Sequence, residues 1–216
     1  MYIQNLEAFL IAITILTLTP GLDTALVIKN TSRSGAKDGC VTSFGICTGL
    51  FVHATFSAIG ISAILLQSAQ LFQVMKWIGA LYLIWLGFSS LKASFTGLKG
   101  LDVAEADSYR KFAVSRSLRE GFLSNVLNPK TAVFYLAFLP QFIDPDHSLF
   151  MQSFFMAGIH FLIATLWQCS LSVAINSAQK LLKNASILTW MEGITGTVLI
   201  ALGIKLIMDD GVVSTN

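Results

Sequence analysis

Apolar residues dominate six stretches of this chain, about 6–28, 41–66, 71–91, 122–143, 149–175 and 187–208. At about 1.5 Å of rise per residue, each is long enough to cross a hydrocarbon core about 30 Å thick. The pattern predicts an all-α, polytopic membrane protein of six transmembrane helices. The longest connection, about 92–121, has thirty residues, so no soluble catalytic domain fits between the spans and 1–216 reads as one membrane domain. No basic residue precedes the first run and no small-x-small site closes it, so it is expected to stay as a helix rather than be cleaved.

Two of the six runs are interrupted. "TPG" at Thr19, Pro20 and Gly21 lies inside the first, and "NPK" at Asn128, Pro129 and Lys130 inside the fourth. A proline within a helix cannot donate to the carbonyl four residues earlier, so the oxygens of Leu16 and Asn125 are expected to lose their usual partners. Thr19 and Asn128 suit the cap position and proline suits the first helical position, so each break also reads as the start of a half-helix. Such an N-terminus offers amide donors and partial positive charge to an anion. A plain proline kink is the simpler reading of either break alone.

Both breaks also carry a charge, Asp23 and Lys130, and a charge in mid-membrane costs about 2.5–3.5 kcal/mol on insertion scales and so marks a pathway or a pair. Lys130 falls in a first helical turn, where the dipole repels a cation, and this argues for a partner. Thr17, Gly21 and Thr24 share one face of the first span, and Ser124, Asn128, Thr131 and Tyr135 one face of the fourth. Asp23, Lys130, Asn128, Thr24, Thr131 and Thr19 are therefore the candidates for substrate binding or proton coupling. His53 and His160 read as hydrogen-bonded packing or as a proton relay. Glu192 lacks a helix break and reads as a snorkelling or capping group, while Glu7, Lys76 and Lys205 lie near span ends. Gly45, Gly49, Gly60, Gly79 and Gly87 are expected to let helices approach closely.

The breaks belong to a wider self-similarity. "DTAL" at Asp23–Leu26 precedes "KTAV" at Lys130–Val133 by 107 residues, and His53 precedes His160 by the same 107. "LIWLG" at Leu83–Gly87 resembles "LIALG" at Leu199–Gly203. Two three-span repeats follow, about 1–94 and 119–216, joined by a loop of about 95–118. An odd span number inverts one copy relative to the other, the architecture of alternating access.

Composition agrees: 54% of the residues are hydrophobic and 12% charged, against roughly 25% charged in soluble domains. Lys29, Arg33 and Lys37 follow the first span; Lys92, Lys99, Arg110, Lys111, Arg116 and Arg119 the third; Lys180 and Lys183 the fifth. The connections after spans 2 and 4 hold no Lys or Arg, which places the basic loops in the cytoplasm and both termini outside. The 95–118 loop also suits contact with anionic lipid. Cys40, Cys47 and Cys169 make neither a CxxC pair nor an even disulfide set and read as small packing residues. No cofactor, structural metal or nucleic-acid partner is expected.

The quoted segments, "TPGLDTALVIKNTSRSGAKDG" with "GICTGLFVH", "YLIWLG" and "REGFLSNVLNPKTAVFYLAFLPQFI", resemble the lysine-exporter type translocators, and within them the homoserine, threonine and leucine exporter branch (LysE/RhtB). Leu22 departs from the family's usual second proline, which predicts a softer first break. The resemblance implies a bacterial inner-membrane exporter of small amino acids, driven by the proton gradient. Its partners would be the amino acid, protons and the bilayer, and its apolar outer faces permit a homodimer without requiring one. An ammonium would then meet Asp23 and the Leu16 carbonyl, and a carboxylate the amides after Asn128 with Lys130; alternatively Asp23 carries the proton or pairs directly with Lys130. Export of a metal or other inorganic ion lacks the clustered Cys, Asp and Glu it needs. An intramembrane enzyme built on His53, His160 and Asp23 lacks any HExxH or GxSxG.

Overall fold

The computed structural model describes residues 3, 5–19, 21–67, 69–96, 111–174 and 185–208. These are almost entirely helical: α1 Leu6–Leu18, α2 Leu22–Ser34, α3 Ala36–Gln67, α4 Ala69–Thr96, α5 Val114–Val126, α6 Pro129–Ala137, a short 3₁₀ turn Leu139–Phe142, α7 Leu149–Val173 and α8 Ala185–Met208. Among the described residues three stretches are long and apolar enough to cross a membrane, in α3 (Ala36–Ser62), α4 (Trp77–Thr96) and α7 (Leu149–Val173). The pair α1 and α2 also qualifies as one span bent by 48°. Most of these helices are apolar on all sides, as expected of segments surrounded by lipid and by one another.

The helices meet along two glycine seams. On α5, Ser117, Gly121 and Asn125 recur every four residues and are buried against α3, where Gly45 lies on the Leu118 backbone, Gly49 on the Asn125 side chain and Gly121 on the Thr42 carbonyl. The second seam joins α4 to α8: a methyl added to Gly87 would stand 2.7 Å from the Gly196 carbonyl oxygen, and one on Gly196 2.6 Å from that of Gly87. Neither seam tolerates a side chain, so backbone packing holds these helices together where the hydrophobic effect gives little. Gly60 is different, since nothing lies within 4 Å of where its side chain would begin.

The two ends of the molecule are closed by different chemistry. At the end bearing the basic residues, fully buried Asp38 of α3 receives Arg33 Nη2 of α2 at 3.1 Å, lies 3.8 Å from Arg116 Nη2 of α5 and accepts a short hydrogen bond from Ser117 Oγ. Glu120 lies 3.5 Å from Arg33 and 3.8 Å from Arg116, and Asn30 Nδ2 donates to Glu120 at 3.0 Å and to Thr42 at 2.8 Å. Arg33 and Arg116, counted above only as loop charges, are thus bolts between helices. At the opposite end Phe9 packs on Phe142, and Phe142 on Phe138, at ring-centroid distances of 5.4 and 4.8 Å. Buried Gln152 pins the adjoining turn by accepting from the Asp144 N–H and donating to the Asp144 carbonyl, both at 2.8 Å. The helix boundaries shorten the expected 95–118 connection, because α4 runs to Thr96 and α5 begins at Val114.

Candidate functional site

The two breaks form where expected, by different local means. The chain leaves α1 at Leu18 and enters α2 at Leu22, so the interruption persists with leucine at position 22; Pro20 itself lies outside the described residues. Thr19 is not the cap of the second half-helix. It closes α1, donating its hydroxyl to the Ile15 carbonyl at 2.6 Å, and Gly21, extended and without a side-chain bond, stands at the start of α2. With its one proton on Ile15, the Thr19 oxygen accepts from Thr195 Oγ1 of α8 at 2.6 Å. The second break follows the sequence reading: Asn128 caps α6, its side chain accepting the Lys130 N–H at 3.0 Å, with Pro129 at the first helical position.

The carbonyl that Pro129 was expected to free does not face a ligand. The Asn125 oxygen accepts the Asn128 N–H at 2.9 Å and, because a carbonyl only accepts, a proton on His53 Nε2 at 3.0 Å. His53 is therefore committed to the break. A buried carbonyl without a partner costs roughly 1–3 kcal/mol, which is the reason for a donor at this depth.

Across the breaks sits Asp23. It occupies the first turn of α2, where the helix dipole favours an anion, and its carboxylate accepts three neutral donors from the other break: Ser124 Oγ at 2.9 Å, Asn125 Nδ2 at 3.0 Å and Asn128 Nδ2 at 3.2 Å. Lys130, 107 residues after Asp23, makes no ion pair with Asp23 within 4 Å, so the two are not directly paired in this conformation.

These groups surround one cavity, with about 50 Å³ open to the centres of water-sized molecules, where roughly 10–15 Å³ holds one water. Thr19, Gly21, Asp23, Thr24, Asn128, Lys130, Thr131 and His160 all line it, as does Leu16; His53 does not border it, and Pro129 is exposed. Thr17 donates to the Ile13 carbonyl at 2.6 Å, so its oxygen accepts from His160 Nε2 at 3.1 Å. His160 Nδ1 is then the acceptor for the Tyr135 hydroxyl at 3.1 Å. Tyr135 lies between the two histidines, 5.9 Å from each by ring centroid. Sequence reasoning passed over Asn125 as a side chain, Thr195, and Gln168 of α7. Gln168 had a signal: His160, Ala164 and Gln168 recur every four residues and together line the cavity.

Among the described residues no group of three or more His, Cys, Asp or Glu side chains could hold a metal ion. A family model described as LysE type translocator matches residues 14–210. The chain is similar to the uncharacterized membrane protein YrhP of Bacillus subtilis, 35% identical over 94% of this chain and 98% of that one. It is also similar to a homoserine/homoserine lactone efflux protein of Salmonella typhi, 31% identical over 64% of this chain and 65% of the relative. A leucine efflux protein of Klebsiella pneumoniae is 29% identical over 73% and 72%. No solved structure matches.

Proposed function

Because the chain belongs to the LysE type translocator family, we propose that this membrane protein is a secondary exporter of small amino acids, the threonine, homoserine and leucine class, working by proton antiport in the bacterial inner membrane. One observation carries the reading: Asp23, at one helix break, is held only by neutral donors from the other break and borders a cavity that Lys130 also lines. A zwitterion has the matching chemistry, its ammonium toward Asp23 and its carboxylate toward Lys130. Asn128 already takes the Lys130 amide, Pro129 has none and the Ala132 amide closes on the Asn128 carbonyl, so in that first turn the carboxylate would rely on the Thr131 N–H and the lysine itself.

The transport cycle in this reading uses six spans in two inverted repeats with both termini outside, the α1–α2 and α5–α6 breaks being the first spans of the two copies. Asp23 would exchange its proton as substrate comes and goes. His160, hydrogen-bonded at both nitrogens beside the cavity, is the relay candidate, and His53 is left as a structural donor. The efflux activities in the names of two relatives support the direction of transport. The test is flux: purified protein in liposomes carrying a pH gradient, with labelled leucine, homoserine and threonine. Uptake that collapses when the gradient is dissipated supports the reading; no flux of any amino acid in a folded preparation overturns it.

A further inference from the structure

The acceptors around the cavity are unequally spent. A carboxylate offers about four lone-pair positions, and three donors already occupy those of Asp23. A primary ammonium brings three N–H donors, so Asp23 alone cannot satisfy one, and further acceptors must come from the rest of the lining. The hydroxyls of Thr17 and Thr19 and both nitrogens of His160 are engaged. Asn125 Nδ2 is spent on Asp23; its Oδ1, buried and also without a hydrogen-bond partner among the described residues, lies against the α3 backbone at Gly49. The lining residues from α3, Ile46 and Leu50, are apolar.

Thr24 and Thr131 bring hydroxyls to the lining as well, and Gln168 brings a buried amide oxygen. Gln168 is 5% exposed and borders the cavity from α7, and its Oε1, buried, has no hydrogen-bond partner among the described residues. A buried amide oxygen left without a donor costs roughly 1–3 kcal/mol, so its persistence beside a polar cavity points to a ligand that supplies the donor. We propose that Gln168 is the second arm of an ammonium subsite: Asp23 carries the charge, Gln168 Oε1 takes one N–H, and the pair makes the cavity selective for a primary amine over its N-alkylated forms. This rests on the amino-acid exporter reading and adds to it a residue and a specificity.

The test measures binding of alanine, leucine and homoserine, and of their N-methyl and N,N-dimethyl derivatives, to purified wild-type protein and to Gln168→Leu and Gln168→Glu. Hydrogen bonds to charged groups are worth enough to expect about a tenfold loss for the first methyl in the wild type. In Gln168→Leu the parent amino acid should bind about tenfold more weakly and the first methyl should cost under about threefold, since its partner is already gone. Gln168→Glu should restore or exceed wild-type affinity for the parent ammonium. If Gln168→Leu misfolds, the near-isosteric Gln168→Met takes its place. An unchanged methylation penalty in the Leu or Met variant overturns the subsite and leaves the exporter reading standing. So does a variant whose losses appear on amidating the carboxylate instead. If the folded wild type binds none of the three amino acids, the exporter reading falls and the subsite with it.

Discussion

Two aspartates fifteen positions apart in sequence, one fully buried and one partly buried, receive opposite treatment from the fold. Asp38 is fully buried and meets two guanidinium groups and a serine hydroxyl. Asp23 meets a serine and two asparagine amides, with no cation within 4 Å among the described residues. Both meet α5, Asp23 from α2 and Asp38 from α3, so the contrast lies in the partners rather than the location. A carboxylate answered by fixed charge on neighbouring helices has nothing left to exchange and acts as a bolt. One answered by neutral dipoles keeps its charge for something that comes and goes. On the proposed function, their pairing pattern separates what holds the α2–α3–α5 end together from what binds and releases substrate at the centre.

The largest expected effect breaks the bolt. Asp38→Ala leaves Arg33 and Arg116 to share only the partly exposed Glu120, and removing one partner of a buried ion pair costs up to about 3–5 kcal/mol. The thermal midpoint in detergent and the yield of monodisperse protein should both fall sharply. Asp23→Asn should do the reverse. With its amide oxygen in place of Oδ2 the asparagine still accepts from Asn125 and Asn128, and with its NH2 in place of Oδ1 it donates to the Ser124 hydroxyl, which can accept, so the midpoint should move little, while losing the charged contact, worth about 1.5–3 kcal/mol, lowers transport roughly 10- to 150-fold. A variant of Asp23 that unfolds as readily as Asp38→Ala would dissolve the comparison, because Asp23 would then be structural too.

How much of this could be read beforehand follows from the range of the interactions. The breaks were legible because proline, glycine and an asparagine cap act within one turn of their own positions, and the glycine seams because small residues recur at helical spacing on α3 and α4. Asp23 stood out as a charge in the wrong solvent, but its partners Ser124, Asn125 and Asn128 lie about a hundred residues away. The repeat pointed instead to Lys130, the equivalent position and not a hydrogen-bond partner. Arg33 and Arg116 looked like loop charges, and Asp38 was passed over, because composition near a span end cannot tell a solvated charge from one turned inward. His53 was visible as a polar residue in a span, but its task, serving the carbonyl of a proline break 72 positions on, exists only once α3 and α5 are packed.

That task gives the next prediction. His53→Leu removes one of two donors from the Asn125 carbonyl, the Asn128 N–H remaining, and should cost about 0.5–1.5 kcal/mol in stability, a smaller loss than at Asp38 and one placed at the base of Asp23's own scaffold. His53→Gln, able to donate from a similar depth, should recover most of it. The pH dependence of transport should be unchanged in His53→Gln; a displaced profile would return His53 to the proton path.

The finest discrimination uses two serines that do the same thing. Ser117 donates to Asp38 Oδ1 and Ser124 to Asp23 Oδ1, so Ser117→Ala and Ser124→Ala each delete one neutral hydrogen bond worth about 0.5–1.5 kcal/mol. At Asp38 the guanidinium groups remain, so Ser117→Ala should lower the thermal midpoint by a few degrees and leave transport kinetics alone. At Asp23 the loss leaves an anionic oxygen less satisfied by protein and therefore more demanding of a ligand. Ser124→Ala should tighten binding, lowering KM roughly two- to tenfold at the same free-energy scale. Turnover should fall with it wherever release limits the cycle. The sign is what matters: damage to a site ordinarily weakens binding, and only a carboxylate whose remaining valence is meant for substrate gains affinity when the protein stops satisfying it. A raised KM in Ser124→Ala would make the serine a positioning group and Asp23 a second bolt.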